Sequence, residues 1–150
     1  MNNAYVFNDT KDSFDRSPYI AEFSLNHTDL PVKDFTIINL TIKPTDALEE
    51  NLALRDVIES IPNHNLMIMG DMNFDCNSMS NAKKEKVREE LSEFEFFIND
   101  DVSTTTNLDE CALDRILMSS DVFKNSVLPG SNQSYIYYKN FWVKQLFSTL

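Results

Sequence analysis

The segment from Phe35 to Gly70 constrains the fold more than any other part of the chain. Phe35-Thr36-Ile37-Ile38-Asn39-Leu40-Thr41 is rich in β-forming residues and predicts a buried strand. Pro44 stops that strand, and Asp46 with Glu49 has capping-box spacing at a helix start. Leu54, Val57, Ile58 and Ile61 recur at helical spacing on one apolar face, predicting a helix over 46–61. Leu66-Met67-Ile68-Met69 is a second short apolar run, and Gly70 breaks it. Strand, helix and strand in this order make a βαβ-like unit, the hallmark of layered α/β architecture.

The remaining chain adds shorter signals. Tyr5-Val6-Phe7 is a brief strand candidate, and Pro18 suits entry into an edge strand over 19–25. Residues 82–97 begin as a Lys/Glu run that predicts a surface helix with a solvated charged face. Ile116-Leu117-Met118 reads as a strand with an acid near its start, and residues 123–129 as another, ending in Pro129-Gly130. The tail from Tyr135 to Leu150 is aromatic and apolar. With no repeat, linker or low-complexity stretch, residues 1–150 form one domain.

Charge limits the function classes. A net charge of −11 repels nucleic acid and acidic membranes at long range, so a nucleic-acid role needs a local basic patch or bound divalent cations. Two glycines in the whole chain argue against a phosphate-cradling glycine loop. No apolar run is long enough to span a bilayer, and MNNAYVFNDT does not read as a secretory signal. Cys76 and Cys111 are compatible with two free thiols or with one disulfide, and their number alone does not decide.

The chemistry-bearing stretch is LMIMGDMNFDC, residues 66–76. Asp71 and Asn73 stand two apart at the mouth of a strand, so extended backbone points both the same way. A carboxylate and an amide facing one spot can hold a metal ion or a phosphate oxygen. Gly, Asp and Asn are also ordinary turn formers.

Four stretches together resemble the deoxyribonuclease I family of the endonuclease/exonuclease/phosphatase superfamily: FDRSP at 14–18, IMGDMNFDC at 68–76, STT at 103–105 and CALDRIL at 111–117. The resemblance runs from about Tyr5 to about Tyr138 and covers the later half of the family's domain. It implies a partial four-layer α/β sandwich, with a mixed sheet and flanking helices. Asp71 then corresponds to a metal or transition-state ligand, and Asn73 to the residue that orients the scissile phosphate. Asp114 corresponds to the carboxylate that orients a catalytic histidine, and Arg16 to a DNA-phosphate contact. Thr105, Asn107 and Asp109 resemble a loop that binds structural calcium, with Ser103 where an aspartate is expected. Cys76 and Cys111 correspond to the family's structural disulfide. Mg2+ and Ca2+ are the implied cofactors and DNA the implied partner, with no membrane association. Family members are commonly secreted.

The chain also departs from the family. Thr41 stands where the family places a histidine, and Thr cannot act as a general acid near pH 7. No second histidine strand follows, and the glutamates of the family's first half have no counterpart. His27 and His64, the only histidines, match no catalytic position and read as surface residues. The expectation is therefore a degenerate, truncated deoxyribonuclease I-like domain with little or no activity. The alternative is a non-catalytic remnant acting as a binding module, its exposed sheet covered by a protein partner or a second copy. Asn39-Leu40-Thr41 is a glycosylation sequon, but a buried strand makes Asn39 a poor acceptor.

Overall fold

The computed structural model describes residues 1–26, 29, 31–106, 110–131 and 133. His27, Asn107, Asp109 and the aromatic tail lie outside the described residues.

Six strands form one mixed sheet: β1 (Asn3–Val6), β2 (Tyr19–Ser24), β3 (Asp34–Thr41), β4 (Leu66–Asp71), β5 (Glu95–Phe96) and β6 (Asp114–Met118), in the order β1-β2-β3-β4-β6-β5. β3 and β4 are parallel, and the other pairs are antiparallel. A parallel pair needs a crossover, and α1 (Ala47–Glu59) supplies it. A second helix, α2 (Asn81–Glu90), packs on α1, and a single turn, α3 (Asp121–Lys124), follows β6. This is the α/β class, a mixed sheet with flanking helices, that the sequence implies.

One register row carries the core across the sheet. Tyr5 pairs with Ile20, Ile20 with Ile38, Ile38 with Ile68, and Ile68 with Leu117, which pairs with Phe96. The four central members have no solvent exposure. Because strand side chains alternate faces, all six point at the helix layer, where Leu54, Val57, Val87 and Leu91 meet them.

The opposite face is only partly covered. Val32, Met118 and Phe123 form a small cluster there, with Phe35, Met67 and Ile116 packed against it. Further along the same face Met69 is half-buried, while Tyr19 and Asn39 are exposed. β3 is therefore buried on one face rather than two. This corrects the reading of Asn39 as a buried residue: it is exposed, and its amide donates to the Met69 carbonyl at 3.4 Å.

Three local expectations are corrected. Asp46 flanks α1, but its side chain caps no backbone N–H; it pairs with Lys43 at 3.0 Å in a preceding 3-10 turn. Residues 121–124 are helical, so no strand runs over 123–129; Ser120 accepts the Phe123 N–H as an N-cap and starts the turn. The Lys/Glu run is not wholly solvated either. Lys84 is buried between Asp75 and Asp100, at 3.1 Å from each, and Arg88 reaches Asp100 at 3.0 Å.

Candidate functional site at the sheet edge

The sheet register gathers the candidate residues at one edge. Thr41 is in register with Asp71 across β3–β4, and Asp71 with Asp114 across β4–β6. The row Thr41, Asp71, Asp114 therefore lies side by side on three adjacent strands and on one face. Arg16 lies in the loop after β1 at the same edge, because Val6 pairs with Tyr19 and Tyr19 with Asn39.

Gly70 makes this row possible. It has φ +140°, and a Cβ added there would lie 2.0 Å from the Leu40 carbonyl oxygen. Only glycine lets the β4 backbone come this close to β3 just before Asp71.

Beyond Asp71 the backbone turns. Asn73 has φ 45° and Cys76 φ 53°, both left-handed. Asn tolerates that region better than most residues. Asp71 accepts the Asn73 N–H at 2.9 Å, and the Asn73 side-chain amide donates to the Ile42 carbonyl at 2.6 Å. Asn73 is buried, so this amide serves first to tie the loop to the end of β3. Burial pushes the Asp71 carboxyl up from its ordinary value, the Asn73 N–H opposes that, and the Asp114 charge adds to it. With the Asp114 charge in the neighbouring register position, Asp71 holds a proton or a cation more readily than an isolated carboxylate does.

The loop is held from below by groups the sequence did not single out. Asp75 accepts the Ala112 N–H at 3.0 Å and pairs with Lys84. Burial alone would raise the Asp75 carboxyl, but the Ala112 and Cys76 amides and the Lys84 ammonium outweigh it and hold it below its ordinary value. Cys76 and Cys111 are joined as a disulfide with a Cα–Cα distance of 5.8 Å. The bridge starts three residues after Asn73 and ends three before Asp114, so it ties together the two segments that carry the site.

Other expected residues fall apart from this row. Arg16 is largely exposed and lies 4.0 Å from Asp15. Its loop is anchored by Glu50, which is buried and accepts the Asp15 N–H at 3.3 Å. An open cleft lined by Lys11, Asp15, Lys43, Asp46 and Glu50 lies beside that loop rather than over Asp71. Thr105 accepts the Cys111 N–H at 3.4 Å, while its expected companions Asn107 and Asp109 lie outside the described residues. His64 is exposed just before β4, at the far end of the strand from Asp71. At strand rise, the five steps from Leu66 to Asp71 separate those ends by about 16 Å.

Among the described residues no group of three or more His, Cys, Asp or Glu is arranged to hold a metal ion. Asp71 and Asp114 supply hard oxygen donors from two carboxylates. That set fits a magnesium ion, which keeps most of its waters and takes one or two carboxylates plus substrate phosphate. No helix among the described residues is long and apolar enough to cross a membrane.

The fold and the row define the class: an α/β domain whose sheet edge presents paired carboxylates. Comparison with known proteins places the chain further. It is 35% identical over 125 residues to deoxyribonuclease-1 of Bos taurus, covering 80% of this chain and 44% of that protein. It is 30% identical to the Sus scrofa protein over 86% of this chain and 48% of that protein. Against deoxyribonuclease-1-like 2 of Mus musculus it is 29% identical, over 95% of this chain and 52% of that protein. The chain is thus a relative of the deoxyribonuclease I family and spans about half the length of the curated relatives it matches. No family model matches. A solved endonuclease/exonuclease/phosphatase family protein from Bacteroides thetaiotaomicron is 14% identical with a TM-score of 0.47, over 69% of this chain and 41% of that one.

Proposed function

We propose that this chain is a deoxyribonuclease I-like domain that engages DNA phosphodiesters at the Thr41–Asp71–Asp114 edge and hydrolyses them weakly or not at all. The observation that carries this reading is the row itself. Its two carboxylates stand together, and a hydroxyl occupies the third place.

Phosphodiester hydrolysis needs an oriented phosphate, neutralised charge on its oxygens, and groups that move protons. In this reading Asp71 and Asp114 would hold a magnesium ion, whose charge would neutralise the phosphate oxygens. Calcium is assigned to the loop carrying Thr105, Asn107 and Asp109. Asn73 orients the phosphate by way of the loop it stabilises, and Arg16 contacts the DNA backbone. Proton transfer is the weak link. Thr41 does not titrate near neutrality, and His64 stands at the wrong end of β4. Loss of one general acid or base commonly costs about 10²–10⁴ in rate.

The test is nicking of supercoiled plasmid with magnesium and calcium, beside Asp71→Ala. Weak or absent nicking, with any residue of it abolished in the variant, is expected. Robust nicking that survives in Asp71→Ala would remove the assignment.

The half-covered second face of the sheet favours a second reading, a binding module that meets a protein partner or a second copy there. Tyr19 on that face is 47% exposed, and Met67, Met69 and Ile116 are only half-buried. Exposed apolar patches of this kind mark interaction surfaces. Light scattering across concentrations tests self-association; a monomer throughout would count against the second-copy form.

A further inference from the structure

Thr104 holds the backbone at the start of the segment that carries Asp114, beside the ties made by the disulfide and by Asp75. Its hydroxyl oxygen accepts the backbone N–H of Leu113 and that of Asp114, both at 3.0 Å. Its own backbone N–H donates to the Cys111 carbonyl at 2.9 Å, and its hydroxyl faces the same carbonyl at 3.5 Å. Leu113 is the relay. Its carbonyl accepts the N–H of Met72 at 3.2 Å and that of Phe74 at 3.3 Å. One side of the Leu113 residue is thus fixed by Thr104, and the other fixes the loop that follows Asp71.

This arrangement solves a specific problem. Asp114 is the first residue of β6, where the ladder has just begun. Ala112 N–H goes to Asp75, so the amides of 113 and 114 need another acceptor. A single hydroxyl with two lone pairs can take both N–H groups. It does so from a loop that contributes no strand to the sheet.

We infer that Thr104 is a positioning residue: its hydroxyl sets the Asp114 backbone, and through Leu113 the Asp71 loop, so that the two carboxylates act on one ligand. This rests on the phosphodiester-site reading above, and it adds a residue that touches neither phosphate nor metal.

The test compares Thr104→Val, which keeps the shape and removes the hydroxyl, with Thr104→Ser, which keeps the hydroxyl. Two readouts are taken on the whole chain. The first is amide hydrogen exchange at Leu113 and Asp114, with Ile68 as a core reference. The second is paramagnetic broadening of the Asp71 and Asp114 signals by manganese, a probe for the divalent site.

Thr104→Val is expected to speed exchange at Leu113 and Asp114 roughly tenfold, the factor a lost hydrogen bond corresponds to. Ile68 should stay unchanged. Joint broadening of Asp71 and Asp114 should need about tenfold more manganese, on the same free-energy scale. Thr104→Ser should restore both readouts. Wild-type exchange rates in Thr104→Val, or a serine variant that fails to restore them, would overturn the inference. So would unaltered manganese broadening in a valine variant whose local exchange has risen. A wild-type chain whose Asp71 and Asp114 ignore manganese would refute the phosphodiester-site reading instead. The exchange rates alone would then decide whether Thr104 sets the two segments.

Discussion

Asp114 and Arg115 are consecutive in β6 and face opposite sides of the sheet: Asp114 lies in register with Asp71 at the open edge, while Arg115 is fully buried. The Arg115 guanidinium donates to the Ile98 and Asn99 carbonyls at 2.8 Å, pairs with Asp100 at 2.6 Å, and lies 5.1 Å from the Phe74 ring centroid. A motif read for its acid thus also carries the cation that holds the core beneath it.

Breaking that cation should be severe. Arg115→Ala removes the donors of two carbonyls and leaves Asp100 to Lys84 and Arg88. The loss expected is about 2–4 kcal/mol, from two carbonyls left without their donor and the cavity left by the buried side chain, since Asp100 is itself part-exposed and keeps two cations. Urea unfolding measures it, and a loss below 1 kcal/mol would show that solvent reaches this cluster.

Asp71 should oppose stability at neutral pH. Burial and the Asp114 charge raise its folded-state carboxyl above its ordinary value of 3.8. The folded protein then binds this proton more readily than the unfolded chain does. The group's contribution is full below the unfolded value and is lost as pH rises through the raised folded value. Asp71→Asn keeps an oxygen for the Asn73 N–H and removes the charge. Its stability gain over the parent should be absent in acid and grow across that window, as followed by melting temperature against pH. Asp75 and Asp100 are held low by their cationic and amide partners and carry the opposite sign: their contribution is lost as pH falls.

The disulfide should matter for stability on the scale of its loop. Cys76 and Cys111 are 35 residues apart, and a closure of that length is worth about 4 kcal/mol in chain-entropy terms. Replacing both with serine should lower the urea midpoint accordingly. Mass spectrometry with and without reductant checks the bridge itself.

Gly70→Ala should be among the most damaging single-methyl changes. The added carbon would meet the Leu40 carbonyl oxygen, a backbone atom that cannot rotate away. A loss of about 3 kcal/mol, the upper end for strained-backbone and overpacked sites, is expected by urea unfolding.

Thr41 is exposed beside Asp71 and can accept a larger side chain. Thr41→His places an imidazole in the row, next to a carboxylate. Plasmid nicking should rise about a hundredfold over the parent, the low end for one general acid or base. No rise, in a variant that stays folded, would mean that proton transfer is not what limits this site.

Periodicity and punctuation made much of the frame legible. The 35–70 βαβ unit stands as strand, helix and strand because apolar spacing of two or 3.6 residues is set by burial on one face. Gly70 and Asp71 were legible as a local strand end, whereas the role of Asp114 and the pairing of Cys76 with Cys111 came only from the resemblance to the deoxyribonuclease I family. The tertiary structure alone decided the rest. It exposed Asn39, because a strand covered on one side and a strand covered on both can share a composition. It buried Lys84, because Asp75 and Asp100 arrive from elsewhere in the chain to neutralise it. It moved residues 121–124 from strand to helix through the Ser120 cap. It also gave Thr104 its place, since which hydroxyl meets which free amide depends on loop closure across the fold and leaves no periodic trace in the sequence.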